Sequence, residues 1–171
     1  MEAYLAGPQM TLDATFAAEE GGCMAECGSG SAMAAAAMTW MGGGTTDQQM
    51  AAASLALQNS FGMICDPIVN RVEAPCLGKN VMAATNALSC TNMALAGYNH
   101  LIPFDEVVIA MNKVAHQIPR ELRCTNLGGL SITPTANRIA EKLAGKAGCG
   151  CRNKVDLSLI HISEPTRPYW I

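Results

Sequence analysis

The sequence predicts an all-α fold. Three observations carry the prediction: long segments filled with Ala and Met, few runs of β-branched residues, and Gly or Pro standing where helices should stop or start. The first helix is predicted over residues 26–41, where Ala32, Met33, Ala35 and Ala36 form a small, apolar face and Gly42, Gly43 and Gly44 end it. A second runs from 47 to about 61, with Thr46 or Asp47 as its N-cap. The third and longest covers 77–96 and stops at Gly97. A fourth covers 105 to about 116, ahead of Pro119, which cannot continue a helix interior. The fifth opens on Thr133 and Pro134, a cap followed by a residue whose missing N–H is no loss in a first turn, and reaches about 143. Small residues on these faces let helix backbones approach closely, so an Ala-rich chain can still pack densely.

A chain of 171 residues builds one substantial core, whereas two would each be marginal. One domain is therefore expected over 1–151, with residues 152–171 a non-native or disordered tail. Within that tail, 157–167 (LSLIHISEPTR) reads like a translated sequencing-library adapter, so His161, Tyr169 and Trp170 carry no functional weight. By the same logic the chain is expected to be a fragment, incomplete on its amino-terminal side. Half of the residues are hydrophobic and 15% are charged, against about 25% charged in an average soluble domain. That excess of apolar surface calls for a partner or for a further piece of the same protein. No apolar run approaches the ~20 residues of a membrane span, and no basic leader precedes an apolar stretch, so a cytoplasmic, non-membrane protein is expected. A net charge of −3 without clustered Lys or Arg argues against nucleic acid as a partner.

Eight cysteines in such a chain are better read as metal ligands, reactive thiols or buried apolar groups than as a disulfide framework. Cys65 and Cys76 bracket an irregular stretch, CDPIVNRVEAPC, in which Pro67 and Pro75 preset the backbone direction beside each thiol. An eleven-residue separation is not a familiar zinc spacing, and spacing alone leaves metal ligation and burial both open.

The segments 20–37 (EGGCMAECGSGSAMAAAA), 62–67 (GMICDP) and 72–76 (VEAPC) resemble, in order and spacing, the alpha subunit of bacterial iron–sulfur L-serine dehydratases. The similarity continues through 80–86 (NVMAATN), 93–97 (MALAG), 102–107 (IPFDEV) and 127–130 (LGGL), covering roughly residues 13 to 145. It implies a serine dehydratase alpha-domain-like helical bundle. It also implies a [4Fe-4S] cluster held by Cys23, Cys65 and Cys76, which are 42 and 11 residues apart. Asn70 departs from the family pattern, standing where a glycine is common, although Asn tolerates left-handed backbone well. The resemblance further implies L-serine as substrate, a beta subunit or beta domain as partner, an oligomer, and no pyridoxal phosphate. Because the family's glycine- and threonine-rich preceding half and its beta domain are missing, the fragment is expected to be inactive alone.

Three thiolates on a four-iron cluster leave one iron open as a Lewis acid for loss of hydroxide from serine. The sequence does not single out the base. Glu26 suits a hydrogen-bond acceptor beside the cluster as well as a proton carrier. Ser29 and Ser31 at a helix start, and Asn80 one turn after Cys76, are candidates for substrate binding, with capping and packing as the competing roles of the serines. Asp66 is expected to make a local Asx-type bond, and His100 and His116 to cap or face solvent. Cys27 and Cys90 are read as packing, and Cys124 receives no role. In some relatives a carboxy-terminal cysteine occupies the open iron in the resting enzyme, and Cys149 or Cys151 is the candidate for that displaceable ligand. The competing functions are a cysteine-desulfurating lyase using the same cluster chemistry, a structural zinc module and a metal-free helical interaction subunit.

Overall fold

The structure, a computed structural model, describes residues 14–147. The fold is all-α. Its elements are α1 (Ala18–Gly21), a π-helical turn (Met24–Gly28) running directly into α2 (Ser29–Met41), α3 (Thr46–Gln58), α4 (Cys76–Leu95), α5 (Phe104–Gln117), two 3₁₀ turns (Arg120–Leu122 and Gly129–Ile132) and α6 (Pro134–Ala147). Among the described residues extended pairing is limited to isolated bridges, Cys65 with Arg123 and Ile68 with Arg71. The tail 152–171, with Cys149 and Cys151, lies outside the described residues.

Helices α2, α3 and α4 pack against one another, and α5 lies on α3. The seam is built from small side chains: Ala32, Ala35 and Ala36 of α2, Ala52, Ala53 and Ala56 of α3, and Ala87, Cys90 and Ala94 of α4 are buried, with Leu57, Val108 and Met111 filling the space toward α5. With so little side chain between them, hydroxyls reach across to neighbouring backbone. Thr91 of α4 donates to the Ala35 carbonyl of α2 (3.1 Å), and Ser31 of α2 donates to the Ala83 carbonyl of α4 (2.8 Å). Each such bond satisfies a hydroxyl that would be costly to bury unpaired.

The helix ends refine the sequence expectations. The cap of α3 is Thr45, one residue before the predicted candidates, because its hydroxyl accepts the Gln48 N–H while the Gln48 side chain accepts the Thr45 N–H. The same Gln48 side chain donates to the Ala94 and Leu95 carbonyls, closing the carboxy end of α4. At α6 the Thr133 hydroxyl accepts the Ala136 N–H, as the Thr-Pro pair predicts. The first predicted helix begins earlier than residue 26: the π-helical turn delivers the chain into α2 without a break, so Ser29 donates its N–H to the Glu26 carbonyl instead of opening a free helix start. An apolar surface stays uncovered, including Trp40, Leu77, Val81, Leu88, Leu101 and Ile132. No helix among the described residues is long and apolar enough to cross a membrane.

Candidate metal centre

Three separate elements bring Cys23, Cys65 and Cys76 together. Cys23 precedes the π-helical turn, Cys65 lies in the extended link after α3, and Cys76 is the first residue of α4. Their Sγ atoms lie within 4.8 Å of one another, with Cys23 and Cys65 buried and Cys76 half-buried. Gly22 makes the first approach possible. Its φ is +71°, and a Cβ there would stand 2.7 Å from the Met63 carbonyl oxygen, so only glycine lets the chain enter Cys23 flush against the segment leading to Cys65. The Met24 N–H then donates to that same carbonyl (3.0 Å) and fixes the register.

The loop after Cys65 is held by bonds of long sequence range. Asp66 is buried; one carboxylate oxygen accepts from Lys79 Nζ (2.7 Å) and the other from the Leu130 N–H (2.8 Å). The local Asx-type bond expected of Asp66 is thus replaced by a clamp, because Gly128 and Gly129 bring the Leu130 N–H up to the carboxylate. Gly129 has φ +62°, and any Cβ there would collide with the Asp66 side chain. Ser131 donates to the Pro67 carbonyl (2.8 Å), and the Asn70 N–H donates to the Asn126 side chain (3.3 Å). Asn70 takes up the left-handed backbone, φ 55°, that its residue type tolerates. The Ala74–Pro75 peptide bond is cis.

Lys79 is the residue that sequence reading missed. Its ammonium bonds Asp66 and the Ile64 carbonyl (2.6 Å) and lies 3.9 Å from Cys23 Sγ. The signal was present: in the 20 residues of α4 this is the sole Lys or Arg, one turn after Cys76. Burial pushes the Cys23 thiol up to about 12, and Cys27, Cys76 and Glu26 add to that, while the Lys79 charge opposes it. Burial, followed by Glu26 and Cys76, also raises Cys27. Without a metal, then, Cys23 is a protonated thiol at neutral pH, and ligation must displace that proton.

A cavity of about 400 Å³ opens beside the triad, bordered by Glu26, Cys65, Pro67, Cys76, Asn80 and Cys124. Asn80 donates to the Cys76 carbonyl (3.0 Å) and its side-chain oxygen meets Cys27 Sγ at 3.5 Å. Ser31 borders a neighbouring cleft with Cys27 and Asn80, yet it is buried, donates to Ala83 and accepts from Asn86. Ser29 is fully buried and donates to the Ala25 carbonyl within its own helix. Cys27 and Cys90 are buried. His116 bonds the Asn112 carbonyl one turn back (2.8 Å) in the last turn of α5. Cys124 is joined to Cys65 by a disulfide, so Cys65 belongs to both the triad and this pair. With Cys65 reduced, three soft sulfur donors at this spacing could hold a metal ion, and their chemistry is compatible with an iron–sulfur cluster.

The family model for the serine dehydratase alpha chain matches residues 2–131. Over 133 residues the chain is 50% identical to the L-serine dehydratase alpha chain of Peptoniphilus asaccharolyticus, an overlap covering 78% of this chain and 46% of that one. It is 45% identical over 135 residues to a probable L-serine dehydratase alpha chain of Bacillus subtilis, covering 79% and 45%. Identity to L-serine dehydratase 1 of Escherichia coli is 30% over 133 residues, covering 77% and 29%. The chain spans about half the length of the first two of these curated relatives.

Proposed function

The chain belongs to the serine dehydratase alpha chain family, and on that premise we propose that it carries the cluster-binding part of an enzyme converting L-serine to pyruvate and ammonia. The convergence of Cys23, Cys65 and Cys76 from three elements carries this reading. These three side chains, with Cys65 reduced, would hold a [4Fe-4S] cluster. When bound through three thiolates, such a cluster supplies an iron with an open coordination position, a Lewis acid for departure of the serine hydroxyl.

The chain's own residues do the rest of the local work. Lys79 favours the thiolate of Cys23, offsetting part of the burial that resists it, and its bond to Asp66 keeps the ammonium in place. Asn80 borders the cavity with its carboxamide anchored on Cys76, a position suited to a polar group of the substrate. Ser31 is a weaker candidate for that role and Ser29 weaker still, since their hydroxyls are buried and already bonded. The uncovered apolar surface and the half-length of the chain support a requirement for further protein, the rest of the alpha chain and a beta subunit or domain, before turnover.

Anaerobic reconstitution with iron and sulfide tests the reading. Wild type should gain a broad absorption in the blue together with bound iron, and Cys65→Ser should lose both. A colourless chain that binds zinc stoichiometrically would replace this reading with a structural metal module. With the missing half and the beta partner restored, pyruvate release from serine should exceed that from cysteine.

A further inference from the structure

Cys65 sits where two arrangements compete. In one its sulfur completes the triad with Cys23 and Cys76; in the other it is bonded to Cys124. A sulfur in a disulfide has no thiolate to offer a metal. We propose that Cys65 and Cys124 form a thiol–disulfide switch on the triad: oxidation withdraws Cys65 from the ligand set, and reduction returns it. The proposal rests on the cluster reading above and adds its regulation.

Backbone contacts besides the bond itself hold the two residues together. Cys65 donates its N–H to the Leu122 carbonyl (2.9 Å), and Cys124 donates to the Cys65 carbonyl (2.8 Å), so two hydrogen bonds clamp the two residues side by side. Their Cα atoms are 4.9 Å apart, inside the span of roughly 4.4–6.8 Å that a disulfide bridges without moving the backbone. Cys124 takes φ +60°, a left-handed conformation that a residue with a Cβ adopts only when its surroundings impose it. The two cysteines also differ in access. Both border the cavity, but Cys65 is 2% exposed whereas Cys124 is half-buried.

That difference orders the chemistry. With a small disulfide such as oxidised glutathione as the oxidant, the Cys124 thiolate attacks first, forming a mixed disulfide and releasing one glutathione thiolate. The Cys65 thiolate then attacks the Cys124 sulfur, forming the internal bond and releasing the second. Two electrons pass from the protein to the oxidant, and the two protons shed by the protein thiols are taken up by the two departing thiolates. Cys23 and Cys76 remain, two thiols where the cluster needs three.

The full chain, freed of iron by chelation, is incubated with reduced or oxidised glutathione, alkylated, digested and weighed; a parallel sample, freed of glutathione, is given ferrous iron alone, since sulfide would itself cleave a disulfide. Oxidised wild type should yield a linked Cys65–Cys124 peptide with Cys23 and Cys76 alkylated, and should take up little iron until dithiothreitol is added. Cys65→Ser should retain glutathione on Cys124, since nothing resolves it. Cys124→Ser should load iron equally after either treatment. A link from Cys65 to Cys23 or Cys76, or equal loading of oxidised and reduced wild type, overturns the switch. A reduced wild type that never takes up iron overturns the cluster reading and with it the switch's effect on loading; a reduced wild type that loads iron but gives no linked peptide overturns the switch alone.

Discussion

The alanine seam between α2, α3 and α4 and the thiol loop at 63–76 are neighbours built on opposite terms. The seam is regular helix, apolar, and satisfied by bonds between adjacent turns or touching helices. The loop has left-handed backbone at Val69 and Asn70 and faces a second irregular segment with the same feature at Cys124, Asn126 and Gly129. Its order comes from a few polar contacts across 56 to 64 residues of sequence. Rigidity is thus spread over many small contacts in one region and concentrated on Asp66 in the other. Loss of one contact should be tolerated in the seam and damaging in the loop.

The strongest way to break that contrast is Asp66→Ala. It leaves the Lys79 ammonium without its carboxylate and the Leu130 N–H without its acceptor, and removing one member of a buried pair typically costs ~3–5 kcal/mol. The Lys79 side chain retains 17% exposure, so the low end is expected. Urea unfolding should show the loss, and iron uptake should fall further than the fraction unfolded.

The next largest effect follows pH. Cys23 titrates near 9.0 when unfolded and at about 12 in the fold. Between those values the folded chain keeps a proton that the unfolded chain has released. The contribution of Cys23 to the stability of the metal-free protein is therefore fully present below pH 9 and is lost as pH rises toward 12. The urea midpoint measured across that window should slope downward, and Cys23→Ala should make the slope shallower, the buried thiols of Cys27 and Cys90 supplying the rest; an unchanged slope would mean that Cys23 is not raised in the fold.

In the seam, Ala36→Leu overfills a fully buried position and should cost ~1–3 kcal/mol. Iron uptake per folded molecule should stay at the wild-type level, which separates it from Asp66→Ala. The smallest effect is Thr45→Ala, which removes one half of a capping box at a cost of about 1 kcal/mol with no change in iron uptake. Should Thr45→Ala lower iron uptake as Asp66→Ala does, the two regions are not independent.

The seam was largely legible because its rules are local. Gly42 to Gly44, Gly97 and Thr133-Pro134 mark helix ends through the chemistry of those residues, and the structure keeps those ends within a residue; where no such marker stands the ends shift further, α3 stopping at Gln58 instead of about 61 and α6 running to Ala147 instead of about 143. The continuation of the π-helical turn into α2 was not legible: Ser29 resembles a helix start in sequence, and only the geometry around Cys23 shows that the helix has already begun. In the loop, the three cysteines were legible through resemblance, and the geometry places their sulfurs together. The roles of Asp66 and Cys124 were not, since a local rule for Asp looks two residues ahead and one partner here lies 64 residues away, and Lys79 was marked only by its being the sole cation of α4. Cys124 had no motif at all; its meaning comes from the bridge that sets it beside Cys65.

The clamp on Asp66 also has a timetable. A ribosome makes Asp66 64 residues before Leu130, which at ~5–20 residues per second is an interval of roughly 3–13 seconds. Once Cys76 has been added, all three triad cysteines exist while Leu130 and Ser131 do not, and until residue 124 is reached neither does Cys124. The nascent loop passes through a period in which its thiols exist without the segment that later bonds Asp66 and Pro67 and without the cysteine that competes for one of them. Cofactor delivery during synthesis would meet the three thiols before Asp66 is clamped and before Cys124 can compete for Cys65.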